Sequence, residues 1–199
     1  MLKEQFGGHN PSHFHINDVV KAYIIAESFV WSAWNFVTPI FAIFVINFIE
    51  EGSVQLAGMA FSTYLISRVV FELISGKLLI HSSDTKKYIF TILGIACVSL
   101  AYLGFAFSKT LPMLFLFYAV AGVGLGIASP AKNALFSMHL DKNKESSEWG
   151  IADAVTFIAM ALAATIGGFV AEQYGFTWLF FIAFVINLLG TIPYLLQLK

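Results

Sequence analysis

Six uninterrupted apolar runs, near 21–48, 56–80, 87–107, 111–138, 149–172 and 177–197, account for most of the chain. A helix rises about 1.5 Å per residue, so roughly 20 apolar residues cross the hydrocarbon core of a bilayer. Each run is long enough. The expected fold is therefore all-α, a polytopic membrane protein with six transmembrane helices. The breaks carry turn-forming and charged residues: Glu50-Glu51-Gly52, His81 to Lys87, Ser108 to Pro112, Asp141 to Glu148, and Gln173 to Gly175. No soluble domain fits between them. Of the 199 residues, 58% are hydrophobic and only 12% charged, with a mean hydropathy of +0.79, outside the range of ordinary soluble domains.

Residues 1–20 read as a polar tail and 21–199 as the transmembrane domain. The tail lacks the basic start and short apolar core of a cleaved signal peptide. Its His9, His13 and His15 read as solvated side chains, because one histidine cluster is weak evidence for a metal. Cys97 has no second cysteine to pair with and reads as a small packed side chain. No nucleophile, zinc constellation or phosphate-binding loop is present, so neither catalysis nor a cofactor is expected. No nucleic-acid partner is expected either.

The net charge of -1 conceals an asymmetry. Lys3, Lys21, Lys77, Lys86, Lys87, Lys132, Lys142, Lys144 and Lys199 fall on one side of the alternating spans, and Lys109 alone on the other. The positive-inside rule then places both termini in the cytoplasm.

Ionisable groups at membrane depth are costly and mark sites facing protein or water. In the second run Arg68 and Glu72 stand one helical turn apart on one face, either as a self-neutralising structural pair or as a gate. The first run carries Glu27, Trp31, Asn35 and Thr38 at steps of four, four and three, a polar stripe that should not face lipid. A carboxyl group in such surroundings is a candidate proton carrier. In the fourth run Gly122 and Gly126 suit close helix packing, and Pro130 a hinge that frees a backbone carbonyl. Lys132 and Asp153 lie at a depth similar to Glu27 and Glu72 and are candidates for an inner cluster of gate charges. Snorkelling competes for Lys132, and interaction with a helix N-terminus for Asp153. Ala159, Ala163 and Gly167 form a smooth ridge, suited to a dimer contact or to packing within one subunit.

Offsetting the chain by 92 positions aligns the second run with the fifth, pairing Gly58 with Gly150, Ala60 with Ala152, Ile66 with Ile158, Ile74 with Ile166 and Gly76 with Gly168. An offset of three spans is odd, so the copies run in opposite directions, giving a 3+3 inverted repeat. After the second run stands "GKLLIHSSDT", keeping Gly76 and Leu78 of a G-x-L-a-D-r-x-G-r-r signature, with Ile80 at its acidic position and Ser83 at its second glycine. After the fifth stands "GFVAEQYG", with Gly168, Ala171, Glu172 and Gly175 in register. On these marks the chain resembles the six-helix N-terminal half of the major facilitator superfamily. It lacks the basic residue of the family's fourth helix in "FYAVAGVGLG" and the proline of the antiporter motif at Gly167-Gly168.

The resemblance implies a secondary transporter in a bacterial-type plasma (inner) membrane, moving a small-molecule substrate by alternating access. Glu27, Trp31, Asn35, Arg68 and Glu72 would line the substrate or proton pathway, with proton coupling expected. Complete members have two such halves, so a second body is required: another copy in a homodimer, or a second six-helix half, this chain then being a fragment of a twelve-helix transporter. The alternative reading is a membrane scaffold or binding subunit that does not transport.

Overall fold

The computed structural model describes residues 16–198. The tail histidines and Lys3 fall outside the described residues, as does Lys199. The helices are α1 (Asp18–Val37), α2 (Phe41–Phe48), α3 (Val54–Leu78), α4 (Asp84–Phe107), α5 (Leu111–Met138), α6 (Glu145–Tyr174), α7 (Phe176–Leu189) and α8 (Ile192–Gln197). They make six segments long and apolar enough to span a membrane. The first combines α1 and α2 through a 3₁₀ turn at Thr38–Ile40, and the last combines α7 and α8. Both interruptions coincide with a proline, Pro39 and Pro193, which removes an amide donor and collides with the preceding turn. The apolar runs did not reveal these breaks, since proline leaves hydropathy nearly unchanged.

Local chemistry sets the ends of the spans. The Asn17 side chain accepts the Val19 amide at 2.9 Å, and Ser53 and Ser83 accept the Leu56 and Lys86 amides, capping α1, α3 and α4. Between α6 and α7 the chain reverses at Gly175 with φ of 85°, a left-handed conformation that favours glycine. All chain reversals lie at one of two faces. The near face holds the start of α1, and the far face the end of α2.

Packing follows the inverted repeat. α3 packs on α5 and α6 on α1, while α4 packs on both α5 and α7, and α7 also on α1. The second helix of each triplet therefore lies against the first helix of the other. Close approach needs absent side chains: a Cβ on Gly126 would lie 2.7 Å from the Arg68 carbonyl oxygen, and one on Gly122 2.3 Å from that of Tyr64. In the other half a Cβ on Gly167 would lie 2.1 Å from the Phe36 carbonyl oxygen, and Ala163 beside it is buried. The ridge of α6 that suited a dimer contact is thus spent within the subunit, against α1.

Two further contacts set the frame. Asn187 of α7, fully buried, donates to the Ile95 carbonyl at 2.9 Å and to Ser99 Oγ at 2.8 Å, joining the third and sixth spans. Towards the far face Phe41 meets Phe44, Phe105, Tyr118 and Phe180 with ring centroids 4.9–5.9 Å apart, a dense aromatic core. By contrast α3 and α6 bury little of their surface. Ile66, Val69, Val70, Leu73 and Ile74 of α3 are exposed, as are Phe157, Ile158, Leu162, Ile166 and Phe169 of α6.

Candidate functional site

Glu27 lies nine residues into α1, roughly 14 Å from its start. Its side chain points into the bundle, where Lys132 of α5 approaches Glu27 Oε2 at 2.5 Å. Both residues are buried, Glu27 to 5% exposure and Lys132 to 3%. Lys132 therefore does not snorkel to the surface. The indole of Trp31, one turn on from Glu27, donates to the same Oε2 at 2.9 Å, and the Lys132 ammonium lies 5.8 Å from the Trp31 ring centroid. Helical spacing puts the carboxylate and indole together, and the α1–α5 approach supplies the cation.

Glu27 Oε1 is treated differently. It is buried and has no hydrogen-bond partner among the described residues. The carboxylate therefore has one oxygen doubly engaged and the other bare. Close by, Tyr23 hydroxyl donates to Asn133 Oδ1 at 3.3 Å, so first and fourth spans also meet through neutral groups.

The second charged group is organised along α3. Arg68 Nε donates to Glu72 Oε2 at 3.2 Å, Nη1 to the Tyr64 hydroxyl at 3.0 Å, and Nη2 to Ser129 Oγ of α5 at 3.4 Å. Tyr64, Arg68 and Glu72 thus form a ladder of four-residue steps, with the guanidinium sharing its donors among three partners. Arg68 and Glu72 are half-buried rather than enclosed. Neither Tyr64 nor Ser129 was singled out from the sequence; the four-residue step from Tyr64 to Arg68 is the signal that could have found the first, and none points to the second.

Pro130 sits between these groups without interrupting α5, which runs from Leu111 to Met138. Lacking an N–H, Pro130 leaves the Gly126 carbonyl, four residues earlier, without its helical donor. The hydroxyl of Ser75 on α3 takes that donor's place, bonding to the Gly126 carbonyl at 2.7 Å in a buried contact. The opening created in α5 is thereby tied to α3, one turn below Glu72.

The remaining sequence candidates are placed as follows. Asn35 Nδ2 donates to the Trp31 carbonyl at 3.0 Å, within its own helix. Asp153 is exposed on α6 and makes no ion pair with Lys132, whose partner is Glu27. The charges expected to form one inner cluster divide instead into Glu27–Lys132 and Arg68–Glu72, because α5 lies between α1 and α3 and contributes to each. At the near face Lys87 is buried and donates to Asp84 Oδ1 and the Ser82 carbonyl, both at 2.9 Å. Asp84 also lies 3.6 Å from His139 Nε2, and the buried Glu148 accepts the Asp141 amide at 2.9 Å. These contacts hold the loops at the ends of α3 and α5; the three-residue step from Asp84 to Lys87 is a spacing signal, but nothing in residue spacing announced the approach of His139 to Asp84.

Comparison with known sequences identifies the family of the chain. An uncharacterised MFS-type transporter of Mycobacterium tuberculosis (strain ATCC 25618 / H37Rv), Rv1250, is 24% identical over 131 residues, 66% of this chain. The aligned segment is 22% of that relative, so the chain corresponds to about a fifth of its length. A sequence profile of the Major Facilitator Superfamily matches residues 23–198, reaching all six spans. With that match across an all-helical bundle, the chain belongs to the major facilitator superfamily.

Proposed function

We propose that the chain is a half-size unit of a secondary transporter, pairing with a second six-helix body to move a small solute by alternating access, coupled to protons. The observation that carries this reading is the buried Glu27–Lys132 pair with its bare Oε1. Each charge compensates the other, which lets both remain in a low-dielectric interior. A proton reaching Oε1 would cancel the carboxylate charge and release Lys132, which then needs another anion or water. Such a step loosens the junction of the first and fourth spans at a stated atom. Ser75 and Pro130 supply the adjoining point where α5 is held by a side chain rather than by its own backbone. On this reading Pro130 is the hinge, and Arg68–Glu72 with Tyr64 and Ser129 holds α3 against α5 while it works.

The second body is argued from surface. α3 and α6 are the least buried spans, with 11% and 22% of their most apolar stretches buried against 39–50% for the others. They would form the seam, and a homodimer is the preferred arrangement. By the lysine distribution the near face is cytoplasmic.

The test is proton-driven solute accumulation by the full protein in sealed proteoliposomes, screened over labelled sugars, amino acids and organic cations. A solute that accumulates only under an inward acidic gradient is the expected result. Glu27→Gln should abolish the gradient dependence, and Glu72→Gln should leave most of it. Gradient-driven uptake unaltered by Glu27→Gln would remove the proton role. Accumulation of nothing in the screen, with monodisperse protein, would favour the scaffold.

A further inference from the structure

At the far face the ends of the first, third and fifth spans and the start of the sixth line a half-open cavity of about 340 Å³ that the transport reading does not use. Its walls include Phe44, Phe48, Phe176 and Tyr174, and its rim carries Glu50 and Lys109. The three phenylalanine rings pack on one another into one wall, with centroid separations of 6.0 Å for Phe44–Phe48, 5.5 Å for Phe44–Phe176 and 5.3 Å for Phe48–Phe176, and Phe48 is the exposed member. They continue the aromatic core outward through the Phe44–Phe180 contact at 4.8 Å. The cup therefore has a rigid floor.

The two charges are held near each other without neutralising each other. The Glu50 amide donates to the Lys109 carbonyl at 2.9 Å, which locks their loops together. Yet among the described residues neither side chain takes part in an ion pair. Both are exposed. One carboxylate, one ammonium and an aromatic wall suit a ligand with a cationic and an anionic group a few ångströms apart. A cation favours aromatic faces and Glu50, and a phosphate favours Lys109. A purely anionic ligand would meet the Glu50 carboxylate, and a simple cation the Lys109 ammonium.

Depth selects the source of such a zwitterion. The cup lies at the far ends of its spans, where the exposed Phe107, Tyr174 and Trp178 stand within two residues of its lining in sequence or belong to it. Exposed aromatic rings at span ends mark the headgroup region of a bilayer. We propose that this cavity is a binding site for the headgroup of a zwitterionic phospholipid, its ammonium on the phenylalanine wall beside Glu50 and its phosphate on Lys109. The site is separate from the Glu27–Lys132 pair and stands whether or not the bundle transports.

Native mass spectrometry of the full-length protein in mild detergent tests this, using phosphatidylethanolamine and phosphatidylglycerol with identical acyl chains. The expected result is about three- to fivefold greater retention of phosphatidylethanolamine, the scale of a few weak charged and cation–π contacts. Glu50→Gln, Lys109→Gln and Phe48→Leu should each remove most of that preference, whereas Lys142→Gln at the near face should preserve it. Thermal unfolding of each variant verifies the fold, and these exposed positions should leave it intact. Equal retention of both lipids, or a preference unmoved by all three far-face variants, overturns the proposal. Loss of the preference in Lys142→Gln to the same extent would reduce it to bulk charge and overturn it too. Soluble glycerophosphoethanolamine should not displace the lipid at equal concentration, and full displacement would show a dissolved solute to be the occupant.

Discussion

Glu27 and Lys132 stabilise the bundle only as a pair, so their single and double substitutions should diverge. Removing one partner leaves an uncompensated buried charge, at a cost of about 3–5 kcal/mol. Glu27→Gln and Lys132→Gln should each lower the unfolding temperature sharply, and the double variant should recover most of the loss, as thermal unfolding in nanodiscs would show. Near-additive losses would mean the two side chains are not coupled. Ser75 offers a second test at this scale. Ser75→Ala strips the side-chain donor from the Gly126 carbonyl and should destabilise by about 1–3 kcal/mol, whereas Ser75→Thr keeps the hydroxyl and should behave nearly as the parent. The same unfolding assay reads both.

Among the helices, neighbouring glycines of α6 should respond in opposite ways to one methyl group. A Cβ on Gly167 meets the Phe36 carbonyl oxygen at 2.1 Å, so Gly167→Ala must push α6 away from α1. A Cβ added at Gly168 would meet no other helix within 4 Å, and Gly168→Ala should leave the isolated subunit unharmed or stabilise it by about 0.5–1 kcal/mol, since glycine disfavours a helix interior. Differential thermal stability in detergent separates the pair. Helix existence and extent were legible from hydropathy, because lipid imposes a length that sequence must match. The breaks at Pro39 and Pro193 lay within apolar runs, and detecting them required reading proline rather than hydropathy. Gly122 and Gly126 were recognised as a packing face, although their partner, α3, was visible only after folding.

For the whole molecule, the four glycines that the offset of 92 pairs, Gly58 with Gly150 and Gly76 with Gly168, are all open, with no other helix within 4 Å of where a methyl group would stand. They lie on α3 and α6, the two spans that the subunit leaves bare. If these surfaces are the seam with a second body, Ile74→Asp and Ile166→Asp should shift the particle from paired to single 21.9 kDa units, as mass photometry in nanodiscs would register. Leu100→Asp on the exposed face of α4 is the comparison and should leave pairing unchanged. Loss of pairing in all three would mean that charge in the membrane, rather than this seam, is being read.

Sequence alone determined that the chain is helical, that it carries six segments long and apolar enough to span a bilayer, and where polar groups interrupt them. These follow from the energy of backbone and charge in hydrocarbon, which acts on each segment by itself. Tertiary structure decided the partners: Lys132 joins Glu27 rather than Asp153, Ser75 answers for Pro130, and the ridge at Gly167 closes on α1. Such choices depend on which helices lie side by side, and a periodicity within one helix carries no information about the rotation of its neighbour.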